Sequence, residues 1–427
     1  MAWATFFGTT IEWFDYYIYG IAAATVFAPQ FFPSIAPIAG VLAAFTTFAV
    51  GFLARPIGGL VLGHLGDRFG RKPMLVLSIM LMGIATVGIG LLPNYAAIGV
   101  FAPILLTVLR LVQGFGIGGE WGGAVVLAVE HAPEKKKNLF GAFPQMGSPA
   151  GTILANATFL IIIATLGPTA YTQWGWRIPF LCSAVLVIIG VAIRLRIAES
   201  PEFTAVRNRR GLVRRPLIDA LRRYPRAVLC GIGISLASPL LGNILTVWVQ
   251  SYGLTFLHTE QGMMTALVTL LGVEWLLVIL FAALLSDRFG AKTVFLVTTT
   301  YSALWAFPFF ALLSTRDPVL MVIAFVGAAP AAGPFAALPA LLTSWFPVAI
   351  RFTGVSIGYQ VGSVLAGGFA PLIATALVAW TATAQSVAAY VAAVCLLSVA
   401  SLLINWRSDG PRRGGEPEPN AVSLPGS

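Results

Sequence analysis

The sequence predicts an all-α membrane protein: twelve transmembrane helices in two pseudo-symmetric six-helix bundles. Three observations carry this prediction. There are long runs without charge, the basic residues fall on alternate loops, and short motifs recur at a nearly constant offset. Of 427 residues, 58% are hydrophobic and 10% charged, against about a quarter charged in soluble domains. The 26 Lys and Arg outnumber the 16 Asp and Glu to give a net charge of +10. A mean hydropathy of +0.87 nevertheless leaves too little polar sequence for a nucleic-acid-binding surface. Disorder and a disulfide scaffold fall away on the same arithmetic.

The charge-free runs are Tyr17–Ala54, Pro73–Leu109, Asn138–Trp176 and Phe352–Trp406. A span needs about 20 apolar residues, so the first three belong to helix–turn–helix pairs and the last holds two helices. Strands of a membrane barrel, about 10 residues of alternating polarity, do not fit. The expected helices lie at 4–28, 38–63, 73–93, 97–129, 138–166, 176–197, 226–253, 262–286, 292–313, 318–346, 353–379 and 385–406. The first is too long for a cleavable signal peptide, lacks a basic flank and carries Glu12 and Asp15. Cys182, Cys230 and Cys395 fall in helices far apart in sequence and are expected as small core residues.

Twenty-two of the 26 basic residues fall on one side of this arrangement. They include Arg68, Arg71, Lys72, Lys135–Lys137, Arg288, Lys292, Arg351 and ten arginines in 194–226. Arg177 and Arg316 fall on the other side. Basic loops stay cytoplasmic, so both termini are expected in the cytoplasm and the chain in the cytoplasmic membrane. The expected organisation is an N-terminal bundle (1–197), an Arg-rich cytoplasmic linker (198–225), a C-terminal bundle (226–406) and a disordered tail (407–427).

Asp67-Arg-Phe-Gly-Arg-Lys72 recurs as Asp287-Arg-Phe-Gly-Ala-Lys292, offset by 220. Gln145-Met-Gly-Ser148 recurs as Gln360-Val-Gly-Ser363, offset by 215. The first pair follows the second and eighth helices, and the second sits early in the fifth and eleventh. Parallel six-helix repeats with a site between them at mid-membrane are a plan for alternating access.

Gly63-His-Leu-Gly-Asp-Arg-Phe-Gly-Arg-Lys72 and Arg110-Leu-Val-Gln-Gly114 resemble the loop 2–3 and helix-4 signatures of the major facilitator superfamily. Gly8-Thr-Thr-Ile-Glu-Trp-Phe-Asp-Tyr-Tyr-Ile-Tyr19, Gly118-Gly-Glu-Trp-Gly-Gly123, Trp174-Gly-Trp-Arg-Ile-Pro-Phe180 and Glu199-Ser-Pro201 resemble its metabolite–proton symporter subfamily, nearest the shikimate-type and related organic-acid members. The resemblance spans residues 8 to about 405. It implies the major facilitator fold and secondary active transport.

Ionisable groups inside a membrane helix are costly and ask for a partner or a function. Glu12 and Asp15, three apart, share a helix face, with Tyr16 and Tyr19 close by. At 1.5 Å per residue they sit roughly 12–17 Å deep. They are read as a proton site or a ligand for a substrate amine or hydroxyl; the alternative is an ion partner for Arg55. Arg110, also near mid-depth, suits an anchor for a substrate carboxylate, and the resemblance implies a part in proton coupling. Its alternative is a structural cation held by Glu12 or Asp15. Gln113, one turn on, would line the same cavity. Glu120 either relays the proton inward or pairs with Arg55. Glu274, near mid-membrane on the eighth helix, is a specificity residue or pairs with a seventh-helix group such as Asn243.

The resemblance implies a cytoplasmic gate. Gly63, Asp67, Arg68, Gly70 and Arg71 form the first copy, with Asp67 capping the eleventh helix and Glu130 beside Arg71. Asp287 with Arg288 is the second copy and faces the fifth helix; Ala291 replaces the second arginine there. Arg351 opens the eleventh helix. The expected glutamate is missing from Leu342-Thr-Ser-Trp-Phe-Pro347. There is no Walker loop, no metal-ligand spacing among the three histidines and no nucleophile–base pair. The expected protein is therefore a transporter and not an enzyme. It needs no cofactor or metal, acts as a monomer, and has a small metabolite, protons and the lipid bilayer as partners. An organic-acid symporter is favoured. An osmolyte (proline or betaine) symporter and a proton-coupled efflux antiporter stay open.

Overall fold

The structure is a computed structural model. It describes residues 2–33, 36–69, 71–118, 121, 125, 128–129, 132–133, 136–196, 216–346 and 351–406. Everything described is helix, turn or short connection. The membrane helices are α1 (Ala2–Thr25), α2 (Pro37–Phe69), α3 (Arg71–Leu91), α4 (Phe101–Ile117), α5 (Lys137–Ala170) and α6 (Arg177–Arg196). In the second half they are α7 (Pro225–Leu257), α8 (Gln261–Phe289), α9 (Ala291–Ser314), α10 (Pro318–Trp345), α11 (Arg351–Gly362 continuing through Ala370–Thr381) and α12 (Gln385–Ile404). A short helix, Pro216–Arg223, precedes α7. Nine helices among the described residues are long and apolar enough to cross a membrane, and Val76–Leu91 and Phe101–Ile117 are shorter apolar helices.

Among the helices that differ from the continuous rods expected are α7, α10 and α4. α7 is interrupted at Ser235 and Leu236. Pro239 lacks the N–H that would bond the Ser235 carbonyl, so the ladder loosens there. The helix then runs on to Leu257 through two π-helical stretches, Ile244–Trp248 and Gly253–Leu257. α10 tightens to a 3-10 turn at Ala329–Ala332, with Pro330 inside the turn and Pro334 just after it. α4 begins at Phe101, because Gly99 (φ 57°) ends the separate turn Tyr95–Ile98. Of the cysteines, Cys230 and Cys395 are buried as expected, whereas Cys182 is exposed.

The halves meet along α5 with α8, α2 with α11, and α1 with α7. The first two pairings are related by the repeat. Within the first half, α2 and α4 cross closely. A Cβ on Gly114 would lie 1.9 Å from the Gly51 carbonyl oxygen, and one on Gly118 1.9 Å from the Arg55 carbonyl oxygen. Small residues at such crossings let helix backbones approach within a membrane. Because Arg55 and Arg110 ride on these helices, the crossing also fixes where both cations sit. Gly114→Ala is expected to abolish the monodisperse peak in fluorescence-detected size-exclusion chromatography. A monodisperse, fully active variant would contradict this packing.

Candidate functional site

The polar interior gathers around α1. The Tyr16 hydroxyl donates to Asn243 Oδ1 on α7 at 2.5 Å, and Asn243 Nδ2 donates to the Gly367 carbonyl on α11 at 3.0 Å. These bonds tie both halves together near the middle of three helices. α11 is π-helical over Ser363–Gly368. A π-helical turn loosens the ordinary helical ladder, and such turns are frequent at functional sites. On the α5 side, Tyr17 and Ser148 share a hydrogen bond of 2.8 Å, and Gln250 Nε2 donates to Asn156 Oδ1 at 3.2 Å and to the Thr246 carbonyl at 2.9 Å. The Arg55 guanidinium lies 4.0 Å from the centre of the Phe52 ring and 5.1 Å from that of Tyr16. These side chains form a buried polar layer between the halves, with a cation at its edge.

A second set of bonds leads from α1 into the first half. Asp15 is fully buried. The Ser183 hydroxyl of α6 donates to its Oδ1 at 2.5 Å, and the Thr86 hydroxyl of α3 approaches its Oδ2 at 3.3 Å. Gln113 Nε2 donates to Thr86 Oγ1 at 2.8 Å, and Arg110 Nη1 donates to Gln113 Oε1 at 2.5 Å. Arg110 and Asp15 are thus joined by a line of side chains with no direct contact. Thr86 has one hydroxyl proton and two acceptors, Asp15 at 3.3 Å and the Met82 carbonyl at 2.9 Å. The shorter bond goes to the backbone, so the Thr86–Asp15 step is the loose one. The Arg110 guanidinium stacks 4.0 Å from the Tyr19 ring centre and 5.0 Å from that of Phe48, and its Nε has no hydrogen-bond partner among the described residues. Tyr19 is itself anchored to Thr47 at 2.6 Å.

The expected stripe Glu12, Asp15, Tyr16 and Tyr19 is buried throughout, but it divides between two surroundings. Asp15 turns to α3 and α6, while Tyr16 and Tyr19 turn to α2 and, for Tyr16, α7. Glu12 lies within electrostatic reach of Asp15 and of Tyr359 on α11. Arg110 is not held by Asp15 directly; Gln113 and Thr86 intervene. Glu274 does not pair with Asn243, whose side chain is committed to Tyr16 and Gly367. Glu274 is half-buried, and its Oε2 is buried with no hydrogen-bond partner among the described residues.

Of the gate residues, Asp287 holds the start of α5. Its Oδ1 accepts from the Asn138 backbone N–H at 3.2 Å and from Asn138 Nδ2 at 2.7 Å. A carboxylate there complements the helix dipole. Arg288 lies 5.2 Å from the Phe289 ring centre. Gly63 falls within α2 and Arg351 begins α11. The side chains of Asp67, Arg68, Arg71 and Arg351, and the whole of Gly70, Glu120 and Glu130, lie outside the described residues. Thr86, Ser183, Asn156 and Gln250 were not expected from the sequence. Neutral polar residues are common in membrane helices, and only the fold brings these four to their partners.

Known proteins share this plan. Residues 1–226 match the family described as "Sugar (and other) transporter", and residues 257–424 match "Major Facilitator Superfamily". The inner membrane metabolite transport protein YhjE of Escherichia coli K12 is 42% identical over 94% of this chain and 92% of its own length. The shikimate transporter of the same strain is 40% identical over 94% and 93%, and its proline/betaine transporter 32% identical over 96% and 84%. Among solved structures, the partially occluded inward-open xylose transporter XylE from E. coli superposes with a TM-score of 0.74 at 16% identity, covering 97% of this chain and 98% of that one. A D-xylose–proton symporter gives 0.72 at 18%, covering 96% and 97%. The protein is a multi-pass membrane transporter for small metabolites and not an enzyme, and it belongs to the major facilitator superfamily, in the metabolite–proton symporter subfamily.

Proposed function

We propose that the chain is a proton-coupled symporter that carries a small organic acid inward across the cytoplasmic membrane by alternating access, with both termini cytoplasmic. The observation that carries this reading is the hydrogen-bonded line from Asp15 through Thr86 and Gln113 to Arg110. When Asp15 is ionised it accepts from Ser183 and competes with the Met82 carbonyl for the Thr86 proton. When Asp15 takes a proton it becomes a donor, and the Thr86 hydroxyl is released to the backbone. Gln113 feels that change at its amide, and Arg110 feels it through Gln113. Protonation on α1 therefore resets a cation near the polar layer where a substrate would lie. The cytoplasmic placement of the termini rests on the one-sided basic loops.

The cationic edge favours an anionic substrate. Arg55 and Arg110 already occupy the faces of Phe52, Tyr16, Tyr19 and Phe48. A quaternary ammonium would compete with two guanidiniums for those rings, whereas a carboxylate finds a donor in Arg55 or Arg110. The test is uptake by proteoliposomes under an inward proton gradient, with a panel of labelled organic acids that includes shikimate, set against proline and betaine. Gradient-driven accumulation of an acid is expected. Accumulation of betaine alone, or extrusion in place of uptake, would overturn the assignment.

A further inference from the structure

Gln145 on α5 and Gln360 on α11 hold equivalent places in the two halves, and each reaches across to the other half. Gln145 Nε2 donates to the Phe335 carbonyl on α10 at 3.2 Å, and Gln360 Nε2 donates to the Gly118 carbonyl at the end of α4 at 3.0 Å. The glutamines are 215 apart in sequence and the two accepting carbonyls 217 apart, so the internal repeat relates one bond to the other. Between them Trp121 lies flat on Tyr359, with ring centres 3.5 Å and planes 9° apart. All four side chains are buried. The Phe335 carbonyl is available because Pro339, four residues on, has no N–H to give it. These bonds lie toward the end of the bundle that carries the basic loops.

The two sides of this arrangement are unequal. Trp121 Nε1 donates to Gln145 Oε1 at 3.0 Å, so that amide uses both of its ends. The residue related to Trp121 by the spacing of 217 is Leu338, whose side chain has no N–H to give. Gln360 Oε1 is accordingly buried with no partner among the described residues.

We propose that Gln145 and Gln360 form a two-sided latch that holds the basic end of the transporter shut, with Gln145 the stronger side and Gln360 the weaker. Opening that end separates α4 from α11 and α5 from α10, and each bond must break. Loss of Gln145 strands the Phe335 carbonyl and the Trp121 indole N–H; loss of Gln360 removes one donor from the Gly118 carbonyl. This latch is made of amides and backbone carbonyls, apart from the charged loop residues, and it holds whichever metabolite is carried.

The test is double electron–electron resonance on purified protein lacking its three native cysteines. Nitroxides at Lys136 and Ser344 report the basic end, and a pair at Ala97 and Thr383 reports the opposite end. Gln360→Met is expected to raise the open-to-closed ratio at the basic end roughly fivefold, as for loss of one hydrogen bond, and Gln145→Met roughly tenfold or more. The double variant should approach the product of the two. A double variant with the parent's distance distribution at the basic end would overturn the latch. If it broadens both distributions by unfolding, Trp121→Phe decides. It keeps the stack on Tyr359 and removes only the N–H, so about a fivefold shift supports the latch and no shift overturns it.

Discussion

Asp15→Asn is expected to lower proton-driven accumulation by at least ~100-fold while leaving exchange of labelled for unlabelled substrate within about threefold of the parent. The substitution is nearly isosteric. The amide oxygen still accepts from Ser183, which approaches Asp15 Oδ1 at 2.5 Å, so α1 stays bound to α6. What is lost is a group that can take up and release a proton between α1, α3 and α6. Exchange needs substrate to bind and the loaded halves to rock; net accumulation also needs the empty carrier to return with the proton discharged. A variant fixed in the neutral form separates these two demands. Counterflow in proteoliposomes measures the first, and uptake under an imposed pH gradient measures the second. If gradient-driven accumulation survives in Asp15→Asn, the coupling proton resides elsewhere, and Glu12 and Glu274 become the residues to examine. If exchange collapses as well, Asp15 serves binding or structure instead of coupling.

Asp15 and Arg110 were legible because a charge inside an apolar helix stands out against its neighbours, and depth follows from counting at 1.5 Å per residue. The helix count, the two halves and the loop motifs were legible for the same reason: hydrophobic runs and repeated spacing survive in one dimension. The direction each side chain takes did not. Spacing places Glu12 and Asp15 on one helix face with Tyr16 close by, yet Asp15 reaches α3 and α6 while Tyr16 reaches α7, and that choice depends on how α1 is rotated in the bundle. Thr86 and Ser183 carry no mark in the sequence, since a hydroxyl in a membrane helix ordinarily bonds its own backbone, as Thr86 also does to Met82. The glutamines at 145 and 360 were visible as a repeat. Their reach toward Phe335 and Gly118 became readable only when α5 and α11 were set against α10 and α4. Breaks in α7 and α10 follow from Pro239, Pro330 and Pro334, which a strict hydrophobic-run reading passes over.

Arg110→Lys is expected to reduce gradient-driven uptake by about 100-fold, roughly 2.7 kcal/mol of lost stabilisation, although charge and length are largely kept. The reason lies in shape. The Arg110 guanidinium lies over the Tyr19 ring, 4.0 Å from its centre, and sends Nη1 to Gln113. A lysine ammonium is a compact, strongly hydrated charge that cannot stack in this way or bridge from the ring to the amide. With the bridge broken, Gln113 no longer links Thr86 to the cation, and a change at Asp15 has no route to the polar layer. Arg110→Lys and Asp15→Asn should therefore fail to add: once either end of the line is disabled, the other has little left to contribute. A double variant no worse in uptake than the poorer single one, each as thermally stable as the parent, supports one coupled line. Losses that multiply, near 10⁴-fold for the pair, would mean that Asp15 and Arg110 serve separate steps, and the path through Thr86 and Gln113 would then be packing alone.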